Sequence, residues 1–193
     1  YSGSVSIIAR SAVAAANSSD LDADYAGRGF ENFNFDRYRA HNWHAFGYPY
    51  RAPYASLQTS LGCSFRCTFC CINAPFGSAG IRFWSPENVL RHFDELADRG
   101  VKHVKIPDEM FLLKPGHVEA ICDLLIRRFR EGKFNIWAYA RVDTCGNDYL
   151  LALMKRAGFN WLGIGVESGS KHVRDGVAKG RFGDEEIAAS IAR

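Results

Sequence analysis

The chain has 193 residues, 47% hydrophobic and 13% aromatic, with 24 basic against 21 acidic side chains and a formal net charge of +3. That is enough apolar material for one sizeable core. The charge is too mild to argue for a nucleic-acid partner, no apolar run reaches the roughly 18 residues of a membrane span, and no basic stretch followed by an apolar one opens the chain as a secretory signal would. Ala, Ser, Asp, Asn and Gly dominate residues 11–29 without sustained periodicity, and residues 1–28 read as a linker or the edge of a preceding unit. The first residue is Tyr1, not Met, so further sequence is expected upstream. Residues 36–54 are rich in Tyr, Trp, His and Arg and are expected to pack against a domain surface. His41 and His44 are metal ligands by type, but no carboxylate or cysteine partner is evident for them. The organisation expected is therefore a connector over 1–53 and a core domain over 54–193.

From Tyr54 a regular alternation begins. Tyr54–Ser60 reads as a short strand running into a cysteine-rich loop. Ser85-Pro86-Glu87 marks a helix start, with a capping serine, proline at the first helical position and an early acid. Val89, Leu90, Phe93, Leu96 and Ala97 then share one face at helical spacing, and Gly100 stops the helix. Val101–Ile106 is the next strand. Val118, Ile121, Cys122, Leu125 and Phe129 mark a second amphipathic helix closed by Gly132, and Phe134–Ala140 a third strand. Leu150, Leu151, Leu153, Met154 and Ala157 give a third helix closed by Gly158. Asn160–Val166 is a fourth strand, and Asp184–Ala192 another helix. Strand and helix alternating with short connections predict an α/β fold with a parallel sheet and right-handed crossovers. Four strands cannot close a barrel, and an eight-fold one needs about 250 residues. The expectation is a partial TIM-type (βα) barrel with only the first four units present.

The chemistry concentrates in Cys63-Ser64-Phe65-Arg66-Cys67-Thr68-Phe69-Cys70. Three thiolates at C-x3-C-x2-C spacing can hold three irons of a [4Fe-4S] cluster and leave the fourth open to a substrate or cofactor. A cluster that only carries electrons is normally closed by four cysteines. Three of the six cysteines fall within this loop, in a chain that can build a core without disulfides. An intracellular metal site, in a cytoplasmic setting, is favoured over a secreted disulfide scaffold. In parallel β/α folds reactive groups gather at the carboxyl ends of strands. Here those ends lead to Cys63, Cys67 and Cys70, then Pro107-Asp108-Glu109, then Arg141-Val142-Asp143, then Glu167-Ser168-Gly169-Ser170.

On these residues the chain resembles the radical S-adenosylmethionine (SAM) superfamily, over about residues 54–193. The stretches Tyr54–Cys63 and Cys70-Cys71-Ile72-Asn73 are similar to the branch whose members carry a cobalamin-binding domain upstream, which would make residues 1–53 the connector that follows it. The resemblance implies that Cys63, Cys67 and Cys70 ligate the cluster, with SAM chelating the open iron through its amino and carboxylate groups. A reduced cluster then splits the sulfonium to a 5′-deoxyadenosyl radical. Phe69 fills the place of an aromatic near the adenine. Pro107-Asp108-Glu109 stands where the family has Gly-Gly-Glu, so Glu109 matches the acid for the SAM amino group while the two glycines are replaced. Arg141 is the implied partner of the SAM carboxylate, and Glu167 of the ribose hydroxyls or amino group. The cofactors implied are the [4Fe-4S] cluster, SAM and cobalamin, the last bound outside this chain. The reaction implied is methyl transfer to an unactivated carbon, with other radical rearrangements or ring closures also open to the branch, and the protein partner an electron donor such as flavodoxin or ferredoxin. Nothing in the chain names the substrate, small molecule or peptide.

Other readings have weaker support. A structural zinc site usually takes four ligands, and no fourth follows Cys70 at a familiar spacing. An electron-transfer iron–sulfur protein would want a fourth cysteine. Gly163-Ile164-Gly165-Val166-Glu167-Ser168-Gly169 is one residue too long for a dinucleotide loop, and Glu167 would repel a pyrophosphate. Arg127, Arg128 and Arg130 lie at the end of a helix, where cations suit the dipole. Cys71 reads as a bystander beside the cluster, Cys122 as core and Cys145 as structural. Asp108 and Asp143 divide evenly between site and scaffold.

Overall fold

The computed structural model describes residues 21–24, 30, 33–77, 79–177 and 182–193. Apart from the short helix α1 (Leu21–Asp24), the expected linker over 1–28 lies outside them. Four parallel strands form the main sheet in the order β1 (Tyr54–Ser56), β4 (His103–Ile106), β5 (Asn135–Arg141), β6 (Phe159–Gly165). A separate antiparallel ribbon pairs β2 (Ser60–Cys63) with β3 (Gly80–Phe83). Helices α2 (Pro86–Asp98), α3 (Pro115–Arg128) and α4 (Asp148–Ala157) fill the crossovers. After β6 come α5 (Lys171–Gly176), which the sequence pattern did not announce, and α6 (Asp184–Ala192). This is the expected open arc of a TIM-type barrel, its sheet unclosed.

Strand periodicity divides the sheet into two faces. Val104, Ile106, Ile136, Ala138 and Ala140 join Phe93, Leu96, Val118, Ile121, Leu125, Leu150 and Met154 in one core against the helices. The alternate positions Lys105, Trp137, Tyr139 and Arg141 look the other way. Trp137, Tyr139 and Arg141 register with Trp161, Gly163 and Gly165 of β6. A Cβ on Gly163 would stand 3.0 Å from the Tyr139 ring and 3.2 Å from the Trp137 indole nitrogen, so glycine lets these rings lie across the neighbouring strand.

The helix boundaries follow local chemistry. The Ser85 hydroxyl accepts from Asn88 N–H at 3.1 Å, with Pro86 behind it. Gly158 ends α4 at φ 102°, and a Cβ there would meet the Phe134 carbonyl oxygen at 2.9 Å, so the position admits little else. Helix α3 stops at Arg128, short of Gly132, because Phe129 turns to extended backbone and packs edge-on to Phe134.

The expected strand Tyr54–Ser60 is broken. Leu57 N–H still reaches the Lys105 carbonyl at 2.9 Å, but Thr59 N–H goes to the Asp108 carboxylate at 2.8 Å. The hydroxyls of Thr59 and Ser60 donate to the same carboxylate at 2.5 and 2.7 Å. Three donors from two consecutive residues pull the chain out of the sheet, and β2 leaves to pair with β3.

Residues 40–51 cover the amino end of the sheet, as expected for a segment packed on a domain surface. His44 Nε2 donates to the Asn135 carbonyl at 3.0 Å, and Asn135 Nδ2 returns a bond to the His44 carbonyl at 2.7 Å. His103 Nε2 donates to the Tyr50 carbonyl at 2.8 Å. Trp43 packs edge-on to Trp137 and Trp161. His44 is thus a buried structural group, its pKa pushed down to about 4, chiefly by burial. Among the described residues no helix is long and apolar enough to cross a membrane.

Candidate functional site

The cysteine loop leaves the end of β2 and returns through β3. All six cysteines are free thiols; Cys63 is buried, Cys67 half-buried and Cys70 exposed. Loop geometry is set by local bonds. Cys63 N–H donates to Asn73 Oδ1 at 3.4 Å, Asn73 Nδ2 donates to the Phe65 carbonyl at 2.8 Å, and Cys70 N–H reaches the Cys67 carbonyl at 3.1 Å. Phe65 N–H points at Cys63 Sγ at 3.5 Å. Arg66, Cys67, Cys70 and Asn73 line an open cleft. Phe69 is exposed on the same loop, 54% accessible, and free to take a planar ligand.

Burial pushes the Cys63 thiol up, the proximity of Cys67, Cys70 and Glu109 adds to it, and Phe65 N–H pulls it back. Three thiols and a carboxylate therefore share one field. A cation placed among these groups would favour the deprotonated thiols that a metal requires. Among the described residues no three His, Cys, Asp or Glu side chains converge on a point that a single ion could fill.

Glu109 stands beyond the end of β4, half-buried. Desolvation raises its pKa, the neighbouring Asp108 adds to the rise, and the backbone N–H groups of Glu109 and Gly62 oppose it. Its Oε2 is buried without a hydrogen-bond partner among the described residues. An unfilled acceptor facing the cysteine loop is what an incoming ammonium would satisfy. Asp108, in contrast, is fully buried and taken up by Thr59 and Ser60, which makes it scaffold.

Arg141 ends β5 and is 2% exposed. Its Nε and Nη2 donate to the two oxygens of Asp143 at 2.8 and 2.9 Å, and its guanidinium lies 3.9 Å over the Phe65 ring. The fork expected for a SAM carboxylate is thus engaged by Asp143, at a position adjoining the cysteine loop. Glu167, after β6, is exposed and holds φ 68°, unusual for a residue with a side chain and costing about 1–2 kcal/mol. Strain of this kind concentrates where a side chain must be aimed. Arg174 supports that loop from below. Fully buried, it donates to the carbonyls of Ser168 and Gly169 at 2.9 and 3.0 Å and pairs with Asp184. One further bond crosses the rim, from Thr68 N–H in the cysteine loop to the Val177 carbonyl at 3.1 Å.

All the residues expected at strand ends thus stand on one rim. Sequence reasoning assigned no role of their own to Phe65, Asn73, Arg174 and Val177. Asn73 carries a local signal, since one amide offers both a donor and an acceptor close behind the last cysteine. Arg174 carries none, because its partners are fixed only by the tertiary fold. Of the remaining cysteines, Cys122 is core, pushed up to about 12 chiefly by burial, and Cys145 donates to the Arg141 carbonyl in a structural turn.

Comparison with known proteins bears directly on this rim. The family model for the radical SAM superfamily matches residues 57–192. The structure of the radical S-adenosylmethionine methyltransferase TsrM from Kitasatospora setae, with tryptophan substrate and the SAM analogue aza-SAM bound, is similar at TM-score 0.61 and 20% identity, over 72% of this chain and 27% of that one. TsrM with cobalamin and [4Fe-4S] cluster bound gives TM-score 0.61 and 21% identity, over 73% and 28%. OxsB, a cobalamin-dependent S-adenosylmethionine radical enzyme seen with aqua-cobalamin and S-adenosylmethionine, gives TM-score 0.58 and 26% identity, over 70% and 21%. The match thus spans about a quarter of the length of these proteins. No curated protein matches the chain significantly.

Proposed function

The chain belongs to the radical SAM superfamily, and from that premise we propose that it holds a [4Fe-4S] cluster on Cys63, Cys67 and Cys70 and cleaves SAM reductively, in the service of cobalamin-dependent methyl transfer. The reading rests on one arrangement. Three free thiols on a rim loop share an electrostatic field with Glu109, whose buried Oε2 lacks a hydrogen-bond partner among the described residues. When bound, the cluster supplies the electron and the open iron on which the sulfonium is split. The chain's own groups bind and orient. Glu109 takes the SAM ammonium, which compensates a buried carboxylate. Phe69 offers an exposed ring for the adenine, and the strained backbone at Glu167 aims a carboxylate at the ribose hydroxyls or amino group.

The cobalamin part draws on OxsB and TsrM, whose structures hold that cofactor. It also gives residues 1–53 a role as connector from a cobalamin-binding domain, and residues 54–193 that of the first part of the radical SAM core. An electron donor of the flavodoxin or ferredoxin kind is the partner such chemistry needs. Anaerobic reconstitution tests the reading. A [4Fe-4S] spectrum that shifts when SAM is added is expected of the wild type, and Cys63→Ala, Cys67→Ala and Cys70→Ala should each abolish assembly. Zinc without iron, or a cluster indifferent to SAM, would overturn it.

A further inference from the structure

Four observations converge on Arg141. Its guanidinium is buried, clamped by Asp143 on one edge, and stacked at 3.9 Å on the Phe65 ring. The clamp is itself built. Thr144 Oγ1 accepts from Arg141 N–H at 3.1 Å and donates to the Arg141 carbonyl at 2.9 Å, folding the turn Val142–Thr144 so that Asp143 comes back onto the guanidinium. Phe65 is the residue whose N–H reaches Cys63 Sγ at 3.5 Å. Asn73 holds the same residue from its other side, through the Phe65 carbonyl. A planar cation fixed at its edge and laid on a ring immobilises that side chain, and the backbone of the same residue carries the N–H that faces the sulfur.

Resting on the cluster reading above, we propose that Arg141 is a positioning residue that acts through Phe65 to seat the cysteine loop and to hold an N–H dipole on the Cys63 sulfur, so raising the cluster's reduction potential. Reduction adds one negative charge to the cluster. An N–H aimed at a ligating sulfur stabilises the reduced form more than the oxidised one, and a loosened Phe65 gives that stabilisation up. Arg141 thereby acts on the loop that holds the cluster, in place of gripping the SAM carboxylate.

Three variants of the chain separate these roles. Arg141→Lys keeps the charge and loses the planar stack, Phe65→Leu keeps bulk and loses the ring, and Phe65→Tyr keeps the ring. Potentiometric titration followed by electron paramagnetic resonance reads the reconstituted cluster. Arg141→Lys and Phe65→Leu should each lower the equilibrium constant for one-electron reduction about tenfold, a midpoint about 59 mV more negative. Phe65→Tyr should match the wild type. SAM affinity, measured separately, should change by less than about threefold in all three. In the cluster-free chain, amide exchange at Phe65 should accelerate about tenfold in Arg141→Lys and Phe65→Leu.

A loss of SAM affinity in Arg141→Lys with potential and exchange unchanged would overturn the proposal and return Arg141 to the cofactor carboxylate. Should Arg141→Lys fail to fold by its melting curve, Phe65→Leu, on a half-buried loop ring, carries the same measurements. A wild type that takes up no SAM-responsive cluster would end the functional reading on its own. The cluster-free exchange rates would still decide the tether, since equal rates in wild type and Phe65→Leu overturn it.

Discussion

Glu109 and Asp108 are adjacent acids in opposite situations. Asp108 has three donors on its carboxylate, and Glu109 keeps a buried oxygen without a partner among the described residues. Sequence could place both at the end of a strand but could not divide their labour, since the donors to Asp108 come from Thr59 and Ser60, far away in the chain. A buried carboxylate that awaits an ammonium predicts a separation of stability from binding. Glu109→Gln should leave the cluster assembled, leave the melting temperature unchanged or slightly raised, and weaken SAM binding about tenfold or more. Isothermal titration against SAM checks it, and unchanged affinity would remove Glu109 from the site. The pH dependence has a fixed sign. Burial raises the Glu109 pKa, the ionised form binds the ammonium, and SAM affinity in the wild type should therefore fall on the acid side, starting at a higher pH than an ordinary glutamate would give.

Among the elements, the three crossover helices were legible, and α5 and the β2–β3 ribbon were not. Ser85-Pro86 and Gly158 act within a turn of themselves, so their signals are local. The ribbon depends on the Asp108 contacts and on pairing Cys63 with Gly80 across the whole cysteine loop, a connection too long to read as a hairpin turn. The strand end expected at Ser60 falls at Ser56 for the same reason: alternation continues beyond it, but Thr59 N–H leaves the sheet for Asp108. Asp108 is accordingly the hinge pin of the ribbon. Asp108→Ala leaves one buried N–H and two buried hydroxyls unpaired and should cost about 3 kcal/mol or more. Asp108→Asn should cost less, because the hydroxyls can rotate to accept from its amide. Urea unfolding of the two variants measures the difference, and equal midpoints for Asp108→Ala and wild type would refute the role.

At the scale of the molecule, buried neutral histidines set the response to acid. His44 lies at the amino end of the sheet and His117 at the start of α3 against Phe83; burial pushes both down to about 4. The unfolded chain takes up these protons near pH 6.5 and the folded chain only near pH 4. Stability is therefore full above pH 6.5 and falls as pH drops through that window, by on the order of 3 kcal/mol per histidine. Denaturant midpoints at pH 7 and pH 4.5 should show the loss, and His117→Gln should reduce it; a flat profile would show the two rings protonated without penalty.

The bond from Thr68 N–H to the Val177 carbonyl has a wider meaning. It stitches the first loop of the sheet to the segment that follows the last strand, and Arg174 anchors that segment in turn. The cysteine octapeptide is consequently not a portable module. Transplanted to another scaffold it would carry its sulfurs but leave behind the latch and the arginine that give them their posture.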